Sequence, residues 1–164
     1  MEIERKFLIR QLPENLSAFP SVLIQQAYLC TDPVIRIRRQ NEDFYLTYKG
    51  KGLMSREEYN LPLNREAYQH LLSKADGNII TKRRYLIPIE HPGFKPEFVP
   101  NEKIDLQVEL DLFDPPFAPL IIAEVEFPSR EMAEAFLPLD WFKEDVTEDP
   151  AYHNSNLSRR DLKS

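Results

Sequence analysis

The 164-residue chain has one cysteine, Cys30, only three histidines and no long apolar run. A single cysteine excludes an intrachain disulfide and a four-cysteine zinc site, and a nucleophilic role would need a histidine partner. His70, His91 and His153 stand in separate segments, so a shared histidine metal site is not expected. No segment approaches the roughly 20 apolar residues of a membrane span, and no apolar stretch follows a basic start. The sequence therefore predicts a soluble, cytoplasmic protein without a membrane partner.

The chain also has a deficit of basic residues, because its 21 lysines and arginines are outnumbered by 27 acidic residues. The resulting net charge of −6 argues against a general nucleic-acid-coating function, so no nucleic-acid partner is expected. A local basic site inside an acidic shell remains compatible with this composition.

Apolar and polar residues alternate along several segments, which is the pattern of β-strands with one apolar and one polar face. The segments are VIRIRR (34–39), FYLTYKG (44–50), IDLQVELDLF (104–113) and IIAEVEF (121–127). Their polar faces are segregated by sign, with basic residues in the middle of the chain and acidic residues in the later strands. If these faces point inward, the chain forms a mainly β (α+β) structure, a closed antiparallel barrel with a charged lumen.

Two amphipathic segments predict helices that cover the apolar outer surface of this barrel. NREAYQHLLSKADG (64–77) places Asn64 at the N-cap and Gly77 at the end, and PSREMAEAFLP (128–138) begins at Ser129 and stops at Pro138. QNED (40–43) and KGKG (49–52) predict hairpin turns, and EHPGFKPEFVPNE (90–102) predicts a proline-rich loop. No linker divides the chain, so residues 1–164 are expected to form a single domain.

The opening segment EIERK (2–6) carries Glu2, Glu4 and Lys6 at alternate positions, and these side chains share one face of a strand. Alone, such a stripe is usually just solvated. Seven further motifs follow it in order: RIR (36–38), LTYKG (46–50), SREEY (55–59), TKRRYL (81–86), VELDLF (108–113), AEVEFPS (123–129) and VTEDPAYHNSNL (146–157).

With these eight motifs the chain resembles the CYTH superfamily, the triphosphate tunnel metalloenzymes. Inorganic triphosphatases, thiamine triphosphatases and class IV adenylate cyclases belong to this superfamily. The resemblance implies an antiparallel eight-stranded barrel that forms a tunnel, with residues 1–164 as one CYTH-like domain. Asn60 departs from the pattern, since a second inward acid is common at that place. The His-Phe pair that often precedes the signature in the cyclases is also missing.

The resemblance and the alternation together assign roles to the charged residues. A basic cradle would bind the phosphates, and within it Lys6, Arg36 and Arg38 would be catalytic; its members are Lys6, Arg36, Arg38, Lys49, Lys82 and Arg84. Acids help beside a polyanion only when a cation stands between, and oxygen ligands suit Mg²⁺ or Mn²⁺. The expected ligands are Glu2, Glu4, Asp111, Glu124 and Glu126, and Glu58 and Glu109 are expected in a second layer around them. Asp111 and Glu109 would either ligate the metal directly or hold metal-bound waters.

The leading functional prediction is divalent-metal-dependent hydrolysis of inorganic tripolyphosphate, or of a related triphosphate, to diphosphate and monophosphate products. Lys6 would either assist proton transfer or hold the reacting phosphoryl group, and the spacing alone does not choose between these roles. Thiamine or nucleoside triphosphatase activity ranks second and a class IV-type cyclase third. A non-catalytic polyphosphate or nucleotide sensor is the alternative from another class. The apolar outer wall is compatible with a monomer or a homodimer.

Overall fold

The computed structural model describes residues 1–161 of the chain. Within these residues two short 3-10 turns lie at Leu16–Ala18 and Pro150–Tyr152. The strands are β1 (Glu2–Ile9), β2 (Ser21–Thr31), β3 (Val34–Gln40), β4 (Asp43–Lys49), β5 (Ser55–Arg56), β6 (Glu58–Leu63), β7 (Asp76–Ile89), β8 (Leu106–Phe113), β9 (Ile121–Glu126) and β10 (Phe142–Asp145). The helices are α1 (Arg65–Leu72), α2 (Arg130–Ala135) and α3 (Asn154–Leu157).

All the strand pairs are antiparallel, and they follow the order β10, β1, β9, β8, β7, β2, β3, β4, β6. The ring is nearly closed by β5, which directly precedes β6 and pairs with β1 through Glu2↔Arg56 and Ile3↔Ser55. One further bond, from the Glu4 N–H to the Met54 carbonyl at 3.0 Å, extends this seam. The expected antiparallel barrel is therefore confirmed.

The strand count differs from the predicted eight for two reasons. First, β5 and β6 occupy a single position in the ring, β5 along β1 and β6 along β4. Second, β10 is an additional strand that takes the remaining part of the same β1 edge, from Phe7 to Ile9. The turn before β5 needs glycine at position 52, because its φ is +132° and a Cβ there would lie 2.1 Å from the Ser55 carbonyl oxygen.

The outer face of the barrel is apolar and is covered as predicted. Phe7, Val108 and Leu110 pack with Phe136, which directly follows α2, in the largest buried cluster. A second cluster places Tyr68 of α1 against Ile37 of β3. The burial of such side chains is the main favourable term in the folding of the barrel. Among the described residues, no helix has both the length and the apolarity needed to cross a membrane.

Both helices begin where the sequence predicted but end earlier. The Asn64 side chain accepts the Ala67 N–H at 2.7 Å, and Ser129 accepts the Met132 N–H at 3.1 Å, so both N-caps are confirmed. The helix α1 ends at Leu72, and Gly77 lies within β7 instead of terminating the helix. Gly77 is needed there because the C-terminal segment packs against it, and a Cβ would lie 2.2 Å from the Ser158 carbonyl oxygen.

One end of the lumen is closed by apolar side chains. Tyr28, Ile80 and Ile122 point inward at that end and pack against Leu157 of α3, which is fully buried. The segment AYHNSNL (151–157) therefore caps this end of the lumen. At the other end, where β1 begins and β9 ends, Glu126 is exposed at the open mouth of the lumen.

Candidate active site in the barrel lumen

The register of the strands brings every predicted site residue to the inward face. Directly paired residues of antiparallel strands point to the same side of the sheet. Lys6 pairs with Glu124 and Glu4 with Glu126 across β1 and β9, and Glu109 pairs with Glu124 across β8 and β9. On the opposite wall, Thr47 stands between Arg36 and Asn60. Most of these side chains are buried, whereas Glu126 is exposed at the open mouth.

Four of the six predicted cradle cations are paired with carboxylates. The Lys6 Nζ lies 2.8 Å from Glu4 Oε1 and 2.9 Å from Glu124 Oε1. The Lys49 Nζ lies 2.8 Å from Glu2 Oε1 and 3.2 Å from Glu58 Oε2. These two groups bring both signs of charge together on the first strand of the barrel, as the spacing of EIERK predicted.

A third group surrounds Asp111, which has no exposed surface. Its Oδ2 accepts from Lys82 Nζ at 2.5 Å and from Arg84 Nη2 at 2.8 Å, and its Oδ1 accepts from Arg84 Nε at 2.7 Å. Arg84 also donates to Glu109 and lies 3.2 Å from Glu124 Oε2. Arg84 thus links the Asp111 group to the Lys6 group.

Arg36 and Arg38 are held differently, by neutral oxygen atoms. Arg38 donates through Nε and Nη2 to Gln26 Oε1, at 2.9 and 2.6 Å. Arg36 donates through Nη2 to Thr47 Oγ1 at 3.3 Å, and its buried Nε has no hydrogen-bond partner among the described residues. Neither arginine forms an ion pair with a carboxylate in residues 1–161.

The environment shifts the pKa of the lysines in opposite directions. Burial opposes the charge of Lys6, but the Glu124 and Glu4 carboxylates outweigh burial and raise the pKa of Lys6 above its ordinary value. Burial dominates at the other two lysines: it holds the pKa of Lys49 well below its ordinary value and lowers the pKa of Lys82 to about 8. Lys6 therefore keeps its proton at neutral pH most firmly of the three.

The carboxylates divide in the same way. Although burial disfavours its charge, Lys6 and Arg84 hold the pKa of Glu124 well below its ordinary value. In contrast, burial followed by the nearby Glu4 and Glu58 charges raises the pKa of Glu126, and burial also raises the pKa of Glu109. The carboxylates at the open mouth are those that would gain most from an additional cation.

Among residues 1–161, no three carboxylate, histidine or cysteine side chains already form a group that could hold a metal ion. The donor chemistry nevertheless fits a hard divalent cation. Glu2 Oε2 is buried and has no hydrogen-bond partner within residues 1–161, and Glu4 and Glu126 are direct neighbours across β1 and β9. Asp111 differs, because Lys82 and Arg84 engage both of its oxygens. The ligand set Glu2, Glu4, Asp111, Glu124 and Glu126 stays a prediction.

Sequence reasoning assigned no role to three neutral residues of the lumen. Gln26 and Thr47 have no exposed surface and hold the two arginines. Asn60 accepts from Thr47 Oγ1 at 2.6 Å and donates to Glu58 Oε1 at 2.9 Å, so the residue that departs from the family pattern orients its neighbours. Thr47 was on the predicted inward face of its strand, whereas nothing assigned a face to Gln26.

Comparison with known proteins was consistent across three approaches. A model of the family described as the CYTH domain matches residues 1–145. The inorganic triphosphatase of Nitrosomonas europaea is 35% identical over 161 residues, covering 96% of each chain. The inorganic triphosphatase of Acetivibrio thermocellus is 33% identical over 168 residues, covering 99% of this chain and 96% of its own. A crystal structure of an inorganic triphosphatase superposes with a TM-score of 0.65 at 32% identity, covering 98% of this chain and 96% of its own.

Proposed function

This chain belongs to the CYTH domain family, and we propose that it is an enzyme that hydrolyses inorganic tripolyphosphate with a divalent cation, Mg²⁺ or Mn²⁺. The observation that carries this proposal is a pair of buried arginines that have no carboxylate partner in the described part of the chain, in a lumen that also holds a group of acids. The arginines fit a polyanion, and the acids fit the cation that accompanies it. The similarity to two inorganic triphosphatases over nearly the whole chain supports the choice of substrate.

The cradle supplies the phosphate contacts. Arg36 and Arg38 would make bidentate, charge-assisted hydrogen bonds to phosphate oxygens, and Lys49 and Lys82 would add point charges. Arg84 is held by Asp111, Glu109 and Glu124, so its guanidinium is fixed in direction before substrate arrives. Fixed donors of this kind stabilise the charge that develops during phosphoryl transfer without having to reorganise.

The acids beside the cradle would hold the cation. Glu2, Glu4 and Glu126 offer the oxygen atoms best placed to do so, Glu124 and Asp111 complete the proposed set, and Glu58 and Glu109 would support it by holding metal-bound waters. When bound, the cation neutralises phosphate charge and orients the triphosphate. This charge compensation is what lets a polyanion approach a group of carboxylates.

Lys6 acts in this proposal by holding charge. Its raised pKa keeps the ammonium protonated at neutral pH, which suits a contact to the reacting phosphoryl group better than a proton relay. Water attacks the terminal phosphorus, the bond to the bridging oxygen breaks, and orthophosphate and diphosphate result. The proton of the attacking water passes to Glu109, whose pKa is raised by burial and which is not one of the proposed metal ligands.

The decisive assay measures phosphate release from tripolyphosphate, ATP and thiamine triphosphate with Mg²⁺, Mn²⁺ or EDTA. We expect tripolyphosphate to be the preferred substrate, and we expect EDTA and Glu4→Gln to abolish turnover. The matched control is Glu134→Gln, the same chemical change on the outer helix α2, which should leave the rate unchanged. Turnover that survives both EDTA and Glu4→Gln would contradict the metal mechanism.

Other outcomes would redirect the assignment. Preference for thiamine triphosphate or ATP would point to the second-ranked activity, and cyclic AMP formed from ATP would point to the cyclase. Tight binding of tripolyphosphate without turnover would favour a sensor. A cytoplasmic location and a monomeric or homodimeric state are part of this proposal, and size-exclusion chromatography with light scattering tests the oligomeric state.

A further inference from the structure

Gln26 is a buried neutral residue in the middle of the charged lumen, and neither the family resemblance nor the motifs assign it a role. It lies on β2, has no exposed surface, and pairs with Arg38 on β3 and with Ile80 on β7. Its Oε1 accepts two hydrogen bonds from one guanidinium, that of Arg38. Its Nε2 is buried and has no hydrogen-bond partner within the part of the chain that the structure describes.

The neutrality of this anchor distinguishes it from the other partners of lumen cations. Each of the other four lumen cations forms an ion pair with at least one carboxylate, which offsets part of its charge; these cations are Lys6, Lys49, Lys82 and Arg84. Arg38 is also buried, but it is held by an amide oxygen. Burial, and then the charges of Arg36 and Arg84, lower the pKa of Arg38 to about 10, as expected for a cation that lacks a counter-ion.

An amide oxygen fixes the direction of a guanidinium without cancelling its charge. Arg38 uses Nε–H and one Nη2–H for Gln26, and within residues 1–161 the two Nη1 hydrogens and the second Nη2 hydrogen remain available for a ligand. These remaining hydrogens form the end of the guanidinium that suits two phosphate oxygens. The unpartnered Nε2 of Gln26 is a further donor beside them, and a buried donor without a partner is costly unless a ligand satisfies it.

We propose that Gln26 is a substrate-binding and positioning residue, which orients Arg38 toward the triphosphate and donates from Nε2 to a phosphate oxygen. The inference rests on the proposed function, since it assumes a phosphate ligand in the lumen. Thr47 serves Arg36 in the same neutral manner. With Gln26 and Thr47 as neutral anchors, Arg38 and Arg36 keep their full positive charge for the substrate. A carboxylate in either place would offset the charge of the arginine that it holds.

The test compares Gln26→Glu with Gln25→Glu. Both variants add one negative charge to β2, but Gln25 points outward, where its Oε1 accepts from the Tyr68 hydroxyl at 2.9 Å. The first measurement is calorimetric binding of tripolyphosphate in EDTA, which does not depend on turnover. The others are KM and kcat with Mg²⁺ and the melting temperature.

We expect Gln26→Glu to weaken tripolyphosphate binding by about 10- to 100-fold and to raise KM more than it changes kcat, because the new carboxylate cancels the charge of Arg38. The melting temperature of this variant should stay equal to that of wild type or rise, since Arg38 gains a counter-ion. Loss of binding without loss of stability is the combination that a merely structural role would not produce. Gln25→Glu should bind as wild type does.

If Gln26→Glu does not fold, Gln26→Met replaces it, because this side chain has a similar length and lacks both the acceptor and the donor. We expect it to weaken binding by about tenfold. Wild-type affinity in either folded Gln26 variant would overturn the inference and leave the proposed function intact. Failure of wild type to bind tripolyphosphate in the presence of Mg²⁺ would overturn the proposed function, and this inference with it. If wild type binds only with Mg²⁺, the variants are compared by their KM values, with the same two outcomes.

Discussion

Asp111→Asn should destabilise the protein strongly, although it only replaces one carboxylate oxygen with an amide group of similar size. Asp111 has no exposed surface and accepts three hydrogen bonds from two cations. The amide would keep one acceptor oxygen and would direct N–H groups toward Lys82 or Arg84. Lys82 would lose its only carboxylate partner among residues 1–161, whereas Arg84 would keep Glu109 and Glu124.

The expected size follows from this loss. Removing one partner of a buried ion pair costs about 3–5 kcal/mol of unfolding free energy. Because Arg84 keeps two carboxylate partners, we expect a cost at the lower end of this range, about 3 kcal/mol. For a chain of this length, each kcal/mol moves the melting temperature by roughly 2–4 °C, so a fall of about 6–12 °C is expected. The matched control is Glu134→Gln, which removes an exposed pair with Arg130 and should cost about 0.5 kcal/mol or less.

The assay is urea unfolding at pH 7 followed by circular dichroism, together with melting curves, for wild type and the two variants without ligand. The m-value should stay the same, since the variant buries the same surface. A melting temperature that falls by no more than that of Glu134→Gln would refute the argument. It would mean that the paired charges of the free lumen contribute no stability and that its geometry is maintained by the apolar outer clusters alone.

Three further predictions concern other parts of the molecule. Leu157→Ala should lower the free energy of unfolding by about 3–5 kcal/mol, because it opens a cavity in the apolar end of the lumen. A change below roughly 1 kcal/mol in urea unfolding would contradict the packing of α3 as a cap on this end. Asn64→Ala should cost about 1 kcal/mol through the lost cap of α1, and Asn64→Asp, which keeps the acceptor, should cost less. Because burial lowers the pKa of Lys82 to about 8, about half of its side chains lack a proton at pH 8. A bound polyanion raises that pKa, so calorimetry of tripolyphosphate binding in two buffers should show more proton uptake for wild type than for Lys82→Met; equal uptake would contradict it.

The sequence was informative wherever a strand has a mainly polar inward face and a mainly apolar outward face. The alternation in VIRIRR, FYLTYKG and IDLQVELDLF predicted which side chains enter the lumen, and the register confirms it. The strand β2 gave no such pattern, because its inward residues include Ile24 and Tyr28 of the lumen as well as Gln26. Apolar residues therefore fall on both of its faces, and the role of Gln26 stayed hidden.

Other features depend on cross-strand register, which a single sequence does not contain. The pairing of Lys82 and Arg84 with Asp111 needs β7 and β8 aligned residue by residue. The four-residue strand β10 is too short to show a period, and the split of one barrel position into β5 and β6 follows from the turn at Gly52. Gly77 predicted a helix end by its type, but it serves the approach of a segment about 80 residues later, near Ser158.

The position of β1 in the ring has a consequence for the order of events during synthesis. Glu4 pairs with Glu126 and Lys6 with Glu124, and Phe7 pairs with Asp145. The strand with the acidic signature therefore leaves the ribosome more than 100 residues ahead of its partners β9 and β10, although its short partner β5 follows after about 50 residues. Hairpins such as β3 and β4 pair locally, but the ring cannot close around its charges until β9 and β10 have been translated. The nascent chain thus carries its acids and bases exposed to water, and the desolvation that strengthens their pairing arrives only with the final third of the polypeptide.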